Sequence, residues 1–390
     1  MNEWKKGQVT LACEALKKHI AGKKVALMMN TSAIDNEGRL LVDVIVKENW
    51  AEVAFFFGME HGVRGNIYAG SGDSSDIDET TGIKIISLYP FPGLRPPVEL
   101  VEQVDAVVFC AQDVGVRHWT YTPWMMTLID SCAKAGRECI VLDRPNPIRG
   151  DIVEGAPGEN YVGRGLLSGF DYPLRHGMTV GELAHMYNEE KGIGCKLTVL
   201  KMEGWHRDMW YDETGLIWMP PSPNMPTVDT ALYFAATGLF QSSNVALGIK
   251  TTTPFQYVGH PEFSGEALAE ELNRRDLDGV YFVPKYYMSS ISLANGGPGE
   301  VTLCNGAMMV IHDRNAWRPV LTQLHIFDAL CKMYPDLVVL ERDAKHGRIR
   351  MCTDKICDSF LAKEDFGPVI DQWQRGAEEF ARRREQYLLY

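Results

Sequence analysis

Residues 51–62 read Ala-Glu-Val-Ala-Phe-Phe-Phe-Gly-Met-Glu-His-Gly, an apolar run that stops abruptly at Glu60, His61 and Gly62. A short run rich in Val and Phe and closed by Gly is the pattern of a strand buried on both faces. Glu60 then stands at the strand's carboxyl end. In open α/β sheets ligands bind outside those ends, so an acid placed there is a candidate for chemistry.

Working outward, the same pattern recurs. Residues 24–30 and 105–109 read as further buried strands, 83–88 and 138–142 as two more, and helical periodicity covers 11–20, 43–48 and 124–135. Strands alternating with helices predict βαβ units and a mostly parallel sheet. Polar residues follow the strand ends: Asn30 and Thr31, Glu60, Gln112 and Asp113, then Asp143, Arg144 and Asn146. They are expected to line one rim. The loop over 62–82, rich in Gly, Ser, Asp and Thr, is long for a connector, and such loops are more often functional or mobile than idle.

The dinucleotide fold is the obvious rival. Its Gly-x-Gly-x-x-Gly turn is missing after the first strand, where Asn30-Thr-Ser-Ala-Ile-Asp35 stands instead, and no Gly-x-x-x-x-Gly-Lys-Ser/Thr phosphate loop occurs. The sheet is therefore expected to be Rossmann-like in topology alone. Residues 148–178 are Gly-rich and irregular, and we read a domain over 1–150 followed by a smaller α+β domain over 151–390. The second half holds a helix over 179–190 with Thr179 and Glu182 as a capping box, a strand at 197–200, helices over 230–240 and 265–273, extended segments at 279–283 and 307–312, and closing helices at 317–334 and 369–387. Between them, Pro220, Pro221, Pro223 and Pro226 rigidify the backbone around Ser222 and Asn224.

Composition narrows the function classes. With 390 residues, 45% apolar and 23% charged, the chain can bury a large core. A net charge of −12 argues against a nucleic-acid surface. The first residues lack a secretory pattern and no apolar run reaches membrane-spanning length, so a cytoplasmic protein without a membrane partner is expected. The nine cysteines are scattered and mostly within apolar stretches, as reduced thiols are. Cys352 and Cys357 have no second pair to complete a metal site. No His-Glu-x-x-His helix or Gly-x-Ser-x-Gly elbow is present, and a cofactor-free hydrolase fits best.

Seven motifs in series, Asn30-Thr31, Glu60-His61-Gly62-x-Arg64-Gly65, Gln112-Asp113-Val-Gly-x-Arg117-x-x-Thr120-Tyr121, Asp143-Arg144-Pro-Asn146-Pro, His176-Gly-Met-Thr179, Pro220-Pro-Ser222-Pro-Asn224-Met-Pro-Thr and Tyr387-Leu-Leu-Tyr390, resemble the NamZ-type exo-β-N-acetylmuramidases. This glycoside hydrolase family was long catalogued as a domain of unknown function. The resemblance covers almost the whole chain. It implies a cleft between two domains that takes a terminal N-acetylmuramic acid from a peptidoglycan fragment, with Glu60 as the principal acid. Family members usually read Leu-Phe-Glu-Gly-Thr-Asn and Ser-Glu-Gly-Arg-Gly-Thr-Thr where this chain has Leu239-Phe240-Gln241-Ser-Ser-Asn244 and Ala246-Leu247-Gly248-Ile249-Lys250-Thr-Thr252. Two carboxylates and an arginine are thus replaced, by Gln241, Leu247 and Ile249, and Lys250 is either a substitute positive charge or a surface residue.

Glycoside hydrolysis ordinarily uses two carboxyl groups. Glu60 behind a Phe-rich strand is the expected acid, since partial desolvation disfavours its charged form. Asp113 and Asp143 are candidates for the second group, although Asp143 next to Arg144 reads as a structural ion pair. The 2-acetamido oxygen of the sugar is a third route. His61 is expected to tune Glu60 or bind hydroxyls. Asn30, Gln112, Tyr121, Arg144, Asn146, His176, Ser222, Asn224, Gln241 and Asn244 are candidate sugar ligands, with Arg64 and Arg117 as forks for a carboxylate and Trp119 as a stacking ring. The alternative is a sugar-binding paralogue altered in catalysis. Oligomeric state is not encoded in any motif.

Overall fold

The computed structural model describes residues 8–67, 76–88, 95–158, 171–292, 298–340, 356, 358–359 and 362–390. Residues 68–75 of the 62–82 loop, and both Cys352 and Cys357, lie outside them. Six strands form one parallel sheet: β1 (Lys24–Met29), β2 (Glu52–Gly58), β3 (Ile85–Ser87), β4 (Ala106–Cys110), β5 (Glu138–Leu142) and β6 (Lys196–Leu200), in the order β3-β2-β1-β4-β5-β6. The order reverses between β1 and β4, the switch point of a doubly wound sheet.

The reason the strands carry unbroken apolar runs is visible in their side chains. Phe55 and Phe57 face one core with Ala26, Met28, Val107 and Phe109, whereas Phe56 faces the other with Val25, Leu27 and Val108. Helices α1 (Cys13–Ile20) and α2 (Leu41–Lys47) cover the second face. Helices α4 (Tyr121–Ala135) and α5 (Val180–Glu190) cover the first, while α3 (Val98–Val101) is a single turn before β4. At α5 the expected capping box forms, Thr179 Oγ1 accepting from Glu182 N and Glu182 Oε2 from Thr179 N.

Two elements that the sequence assigns to the second domain belong with the first sheet, the helix α5 and a strand. The strand near 197–200 that the sequence assigns to the second domain pairs in parallel with β5 from Glu138↔Lys196 to Leu142↔Leu200 and edges the first sheet. The sheet therefore runs past residue 150. Beyond it, α6 (Val228–Thr237), α7 (Gly265–Asn273) and α8 (Pro319–Met333) pack around a three-stranded antiparallel sheet, β7-β9-β8, of β7 (Tyr257–His260), β8 (Val280–Ser292) and β9 (Pro298–Ile311). Asn273 closes the outer edge of β8 by bonding both Phe282 N and Phe282 O, at 2.9 and 2.8 Å. All seven described cysteines are free and buried.

The closing helix Gly367–Arg383 leads back to the first sheet. Buried Arg384 donates to the carbonyls of Gly150, His176 and Gly177, Leu389 N donates to Glu182 Oε1 at 2.8 Å, and Tyr390 OH donates to Asp143 Oδ2 at 2.8 Å. Asp143 also accepts from Thr179 Oγ1, Gly181 N and its neighbour Arg144 N. Its carboxyl has no contact with water. Complete burial, reinforced by nearby Glu182, outweighs these donors and pushes it up to about 6. Gly115, at the end of β4, closes the same rim: its φ is +79°, and a Cβ there would lie 2.6 Å from Asn146 Oδ1 and 2.5 Å from Ile148 Cγ1.

Two expectations follow. Because the native carboxyl of Asp143 holds its proton more tightly than an unfolded aspartate, its favourable contribution is complete at low pH and is lost as pH rises from about 4 through about 6. The ionised form then weighs on the fold by on the order of 3 kcal/mol. Asp143→Asn mimics the protonated form, so between pH 4.5 and 7.5 its melting temperature should gain several degrees relative to the wild type; a constant difference, or one running the other way, refutes the assignment. Gly115→Ala should lose roughly 2–4 kcal/mol in urea unfolding, from left-handed strain plus overlap, and a loss below about 1 kcal/mol would show that the rim yields.

Candidate active site

Four neighbouring strands, β2, β1, β4 and β5, deliver Glu60, Asn30, Gln112 with Asp113, and Asp143 with Arg144 to one rim, as the sequence predicts. At the switch point the backbone is stitched by side chains. Asn30 Oδ1 accepts from Ser32 N and Ser32 Oγ, and Ser32 Oγ accepts from Gln112 N at 2.9 Å. Gln112 Nε2 donates to the carbonyls of Asp113 and Pro145, both at 2.8 Å, and its Oε1 accepts from Arg144 Nε.

The two arginine forks are occupied by the protein. Arg64 donates Nε and Nη2 to Asp78 at 2.8 and 2.6 Å and both Nη atoms to Asp43. The hydrogen bonds to Asp78 and Asp43 raise its pKa further, and the Arg64 guanidinium in turn holds Asp78 below the usual carboxylate range. Arg117 is buried and donates to the carbonyls of Ala156 and Tyr172. The expected Asp143–Arg144 ion pair does not form. Arg144 instead directs its guanidinium to Gln112, to Ile34 O and to Cys110 Sγ, because the carboxylate of Asp143 is turned toward α5 and Tyr390.

Asp113 is equally enclosed. It accepts from Gly115 N at 2.7 Å, Thr122 Oγ1 at 3.0 Å and His176 Nε2 at 3.1 Å. His176 Nδ1 accepts from Met178 N, which places the ring proton on Nε2, so the His176–Asp113 contact is a donated hydrogen bond. Both residues are buried. Asn146 bonds Met178 O and Ile148 N and closes the rim.

Glu60 differs from these acids in keeping contact with solvent. Its Oε2 accepts from Thr120 Oγ1 at 3.0 Å, and its backbone carbonyl lies 3.3 Å from Tyr121 OH. The turn behind it is left-handed at two successive residues, His61 (φ 70°) and Gly62 (φ 72°). A β-carbon makes that conformation unfavourable at His61 by of order 1 kcal/mol or more, and such strain persists only where surroundings impose it. Here His61 Nδ1 donates to Ile67 O at 2.9 Å, which orients the ring and leaves Nε2 as the acceptor.

The Pro-rich segment meets this rim through its backbone. Pro221 O accepts from Tyr121 OH at 2.6 Å and Asn30 Nδ2 at 3.3 Å. Ser222 is buried and turns inward, its Oγ accepting from Asn224 N, while the half-exposed Asn224 side chain bonds no described residue. The second domain touches beside Thr120: a Cβ on Gly238 would lie 2.0 Å from His118 Nε2, and the His118 ring stands 4.4 Å from that of Phe234. Gln241 is half-buried just beyond. Asn244 bonds Leu337 O and Val339 N and so fastens the segment after α8. Of the replaced positions, Leu247 is core, Ile249 offers its carbonyl to Ser290 N, and Lys250 is exposed in a left-handed turn.

Sequence reasoning singled out neither Asp43 nor Asp78, because an arginine's partners 21 and 14 residues away leave no local signal. Thr120 did carry one: it opens a helix whose third residue is Pro123.

Among the described residues no group of His, Cys, Asp and Glu is arranged to hold a metal ion, and no helix is long and apolar enough to cross a membrane. The chain is 35% identical over 384 residues to the peptidoglycan β-N-acetylmuramidase NamZ of Bacillus subtilis (strain 168), covering 96% of this chain and 88% of that protein. Two DUF1343 family crystal structures from Bacteroides fragilis NCTC 9343 share the fold over 98% of this chain and 99% of theirs. BF0371 has a TM-score of 0.88 at 30% identity and BF0379 a TM-score of 0.72 at 26%. Residues 25–229 match the N-terminal domain and residues 232–390 the C-terminal domain of the exo-β-N-acetylmuramidase NamZ. With both domains matched in order on a parallel sheet that carries its polar residues on one rim, the chain belongs to the NamZ family of exo-β-N-acetylmuramidases, which are glycosidases.

Proposed function

We propose that this protein removes a terminal N-acetylmuramic acid from peptidoglycan fragments, with Glu60 as general acid. The observation that supports this is the difference among the rim carboxylates. Asp113 and Asp143 are 2% and 0% exposed and saturated with internal donors, whereas Glu60 meets solvent and has one oxygen held by Thr120. Kinship with the Bacillus subtilis enzyme supports the substrate class.

In the first step Glu60 passes a proton to the glycosidic oxygen as the C1–O bond breaks. Because neither buried aspartate can reach a sugar without losing its hydrogen bonds, the 2-acetamido oxygen of the substrate is the better nucleophile: it bonds to C1, and water, deprotonated by Glu60, then opens that intermediate. Anomeric configuration is retained by this route. Asp113, held by His176, and Asp143, held by Tyr390, then act as supports of the rim. Asn224 and Gln241 are the partly exposed polar side chains we assign to the sugar, and His61 is assigned to orienting Glu60.

Glu60→Gln should lower kcat on a muropeptide by about 10²–10⁴-fold while the protein still melts cooperatively. Activity within twofold of wild type would remove Glu60 from the mechanism. Under the acetamido route, 4-nitrophenyl β-N-acetylmuramide should be cleaved with retention, seen by NMR of the first-formed anomer, whereas an analogue with a 2-hydroxyl in place of the acetamide should not be cleaved. An inverted product would return the second role to a protein carboxylate or water. Binding of muramic acid with no turnover by the wild type would instead favour a retooled binding protein, the reading suggested by Gln241, Leu247 and Ile249.

A further inference from the structure

We infer that Thr120 is a positioning residue that orients the carboxyl of Glu60 for proton delivery, an inference that rests on the reading of Glu60 as the acid. Thr120 occupies the N-cap of α4, where a threonine hydroxyl ordinarily accepts a hydrogen bond from the second or third helical N–H. Here it does not: its backbone is helical (φ −72°, ψ −21°), and no side-chain cap forms. The third helical residue is Pro123, which has no N–H to offer. The hydroxyl is left over from the helix and donates to Glu60 Oε2 at 3.0 Å.

The turn that carries Thr120 is held on three sides. Trp119 and Tyr121 meet edge to face, with centroids 5.2 Å apart, and both are buried. Tyr121 OH is anchored to Pro221 O, and His118 is wedged against Gly238 from the second domain. Thr120 Oγ1 is thus held in place. One carboxyl oxygen of Glu60 fastened to this hydroxyl sets the plane and tilt of the acid; as the glycosidic bond breaks, the proton of Glu60 moves to the leaving oxygen and the Thr120 hydroxyl donates to the carboxylate that remains. A local helix rule is given up where the chemistry needs the group, a pattern expected at functional sites.

The test compares wild type, Thr120→Val, Thr120→Ser and Glu60→Gln on a muropeptide, whose leaving sugar needs protonation, and on 4-nitrophenyl β-N-acetylmuramide, whose leaving group needs it little. Thr120→Val should lower kcat on the muropeptide by about 10- to 100-fold, with KM within about twofold, and should cost far less on the nitrophenyl substrate. Thr120→Ser, which keeps the hydroxyl, should recover most of the loss. If Thr120→Val matches wild type while Glu60→Gln is inactive, the Thr120 assignment falls and Glu60 stands. Full activity in Glu60→Gln overturns the reading beneath it. A Thr120→Val loss shared equally by both substrates, or not recovered by serine, would show that the threonine packs the turn and does not direct the proton.

Discussion

The burial of Asp143 at the carboxyl end of β5 is the constraint on which the rest of the rim depends. A carboxyl removed from water must find donors, and this one finds four: the next residue's N–H, the cap and the first turn of α5, and Tyr390. The same logic repeats at Asp113 and at Gln112, so that every polar group brought to the rim by β4 and β5 is occupied. On the β2 side stands Glu60, the rim carboxylate that keeps contact with solvent and that we propose as the acid. Rigid surroundings for such a group are what a preorganised site needs.

Much of the architecture was legible. Strands buried on both faces announce themselves by continuous apolar runs, and β1, β2, β4 and β5 were placed from that alone, along with the polar residues that follow them. The strand β6 is legible as a strand, but the pattern assigns it to the second domain, whereas it edges the first sheet. As an edge strand with one end exposed, it reads like any half-buried strand, and nothing in Lys196–Leu200 says which sheet it joins. The four residues of β7, one of them Gly259, fall below what a pattern can resolve. In β8 and β9 the outer halves carry Tyr286, Met288 and Leu303 outward, which blurs the expected alternation of apolar and polar residues.

The site was less legible than the fold, for a different reason. Which residues reach the rim follows from local pattern, but which of them remain available depends on partners distant in sequence. Arg64, Arg117 and Arg144 all look like ligands for an acidic group when read alone. Each turns out to be engaged by protein oxygens contributed from elsewhere in the chain. Glu60 could be nominated from sequence because its strand points to it. The enclosure of its competitors could not.

The clasp of Tyr390 on Asp143 and Met202 also bears on how the molecule assembles. These contacts join residues separated by 247 and 188 positions. Closing loops of that size costs entropy before any contact rewards it, and folding slows as such distant pairings dominate. The parallel sheet can form from β1 to β6 with its own helices. Its carboxyl rim, however, has all of its donors only when Tyr390 is docked on Asp143 and Met202, so completing that rim requires the second domain and the closing helix to be in place as well.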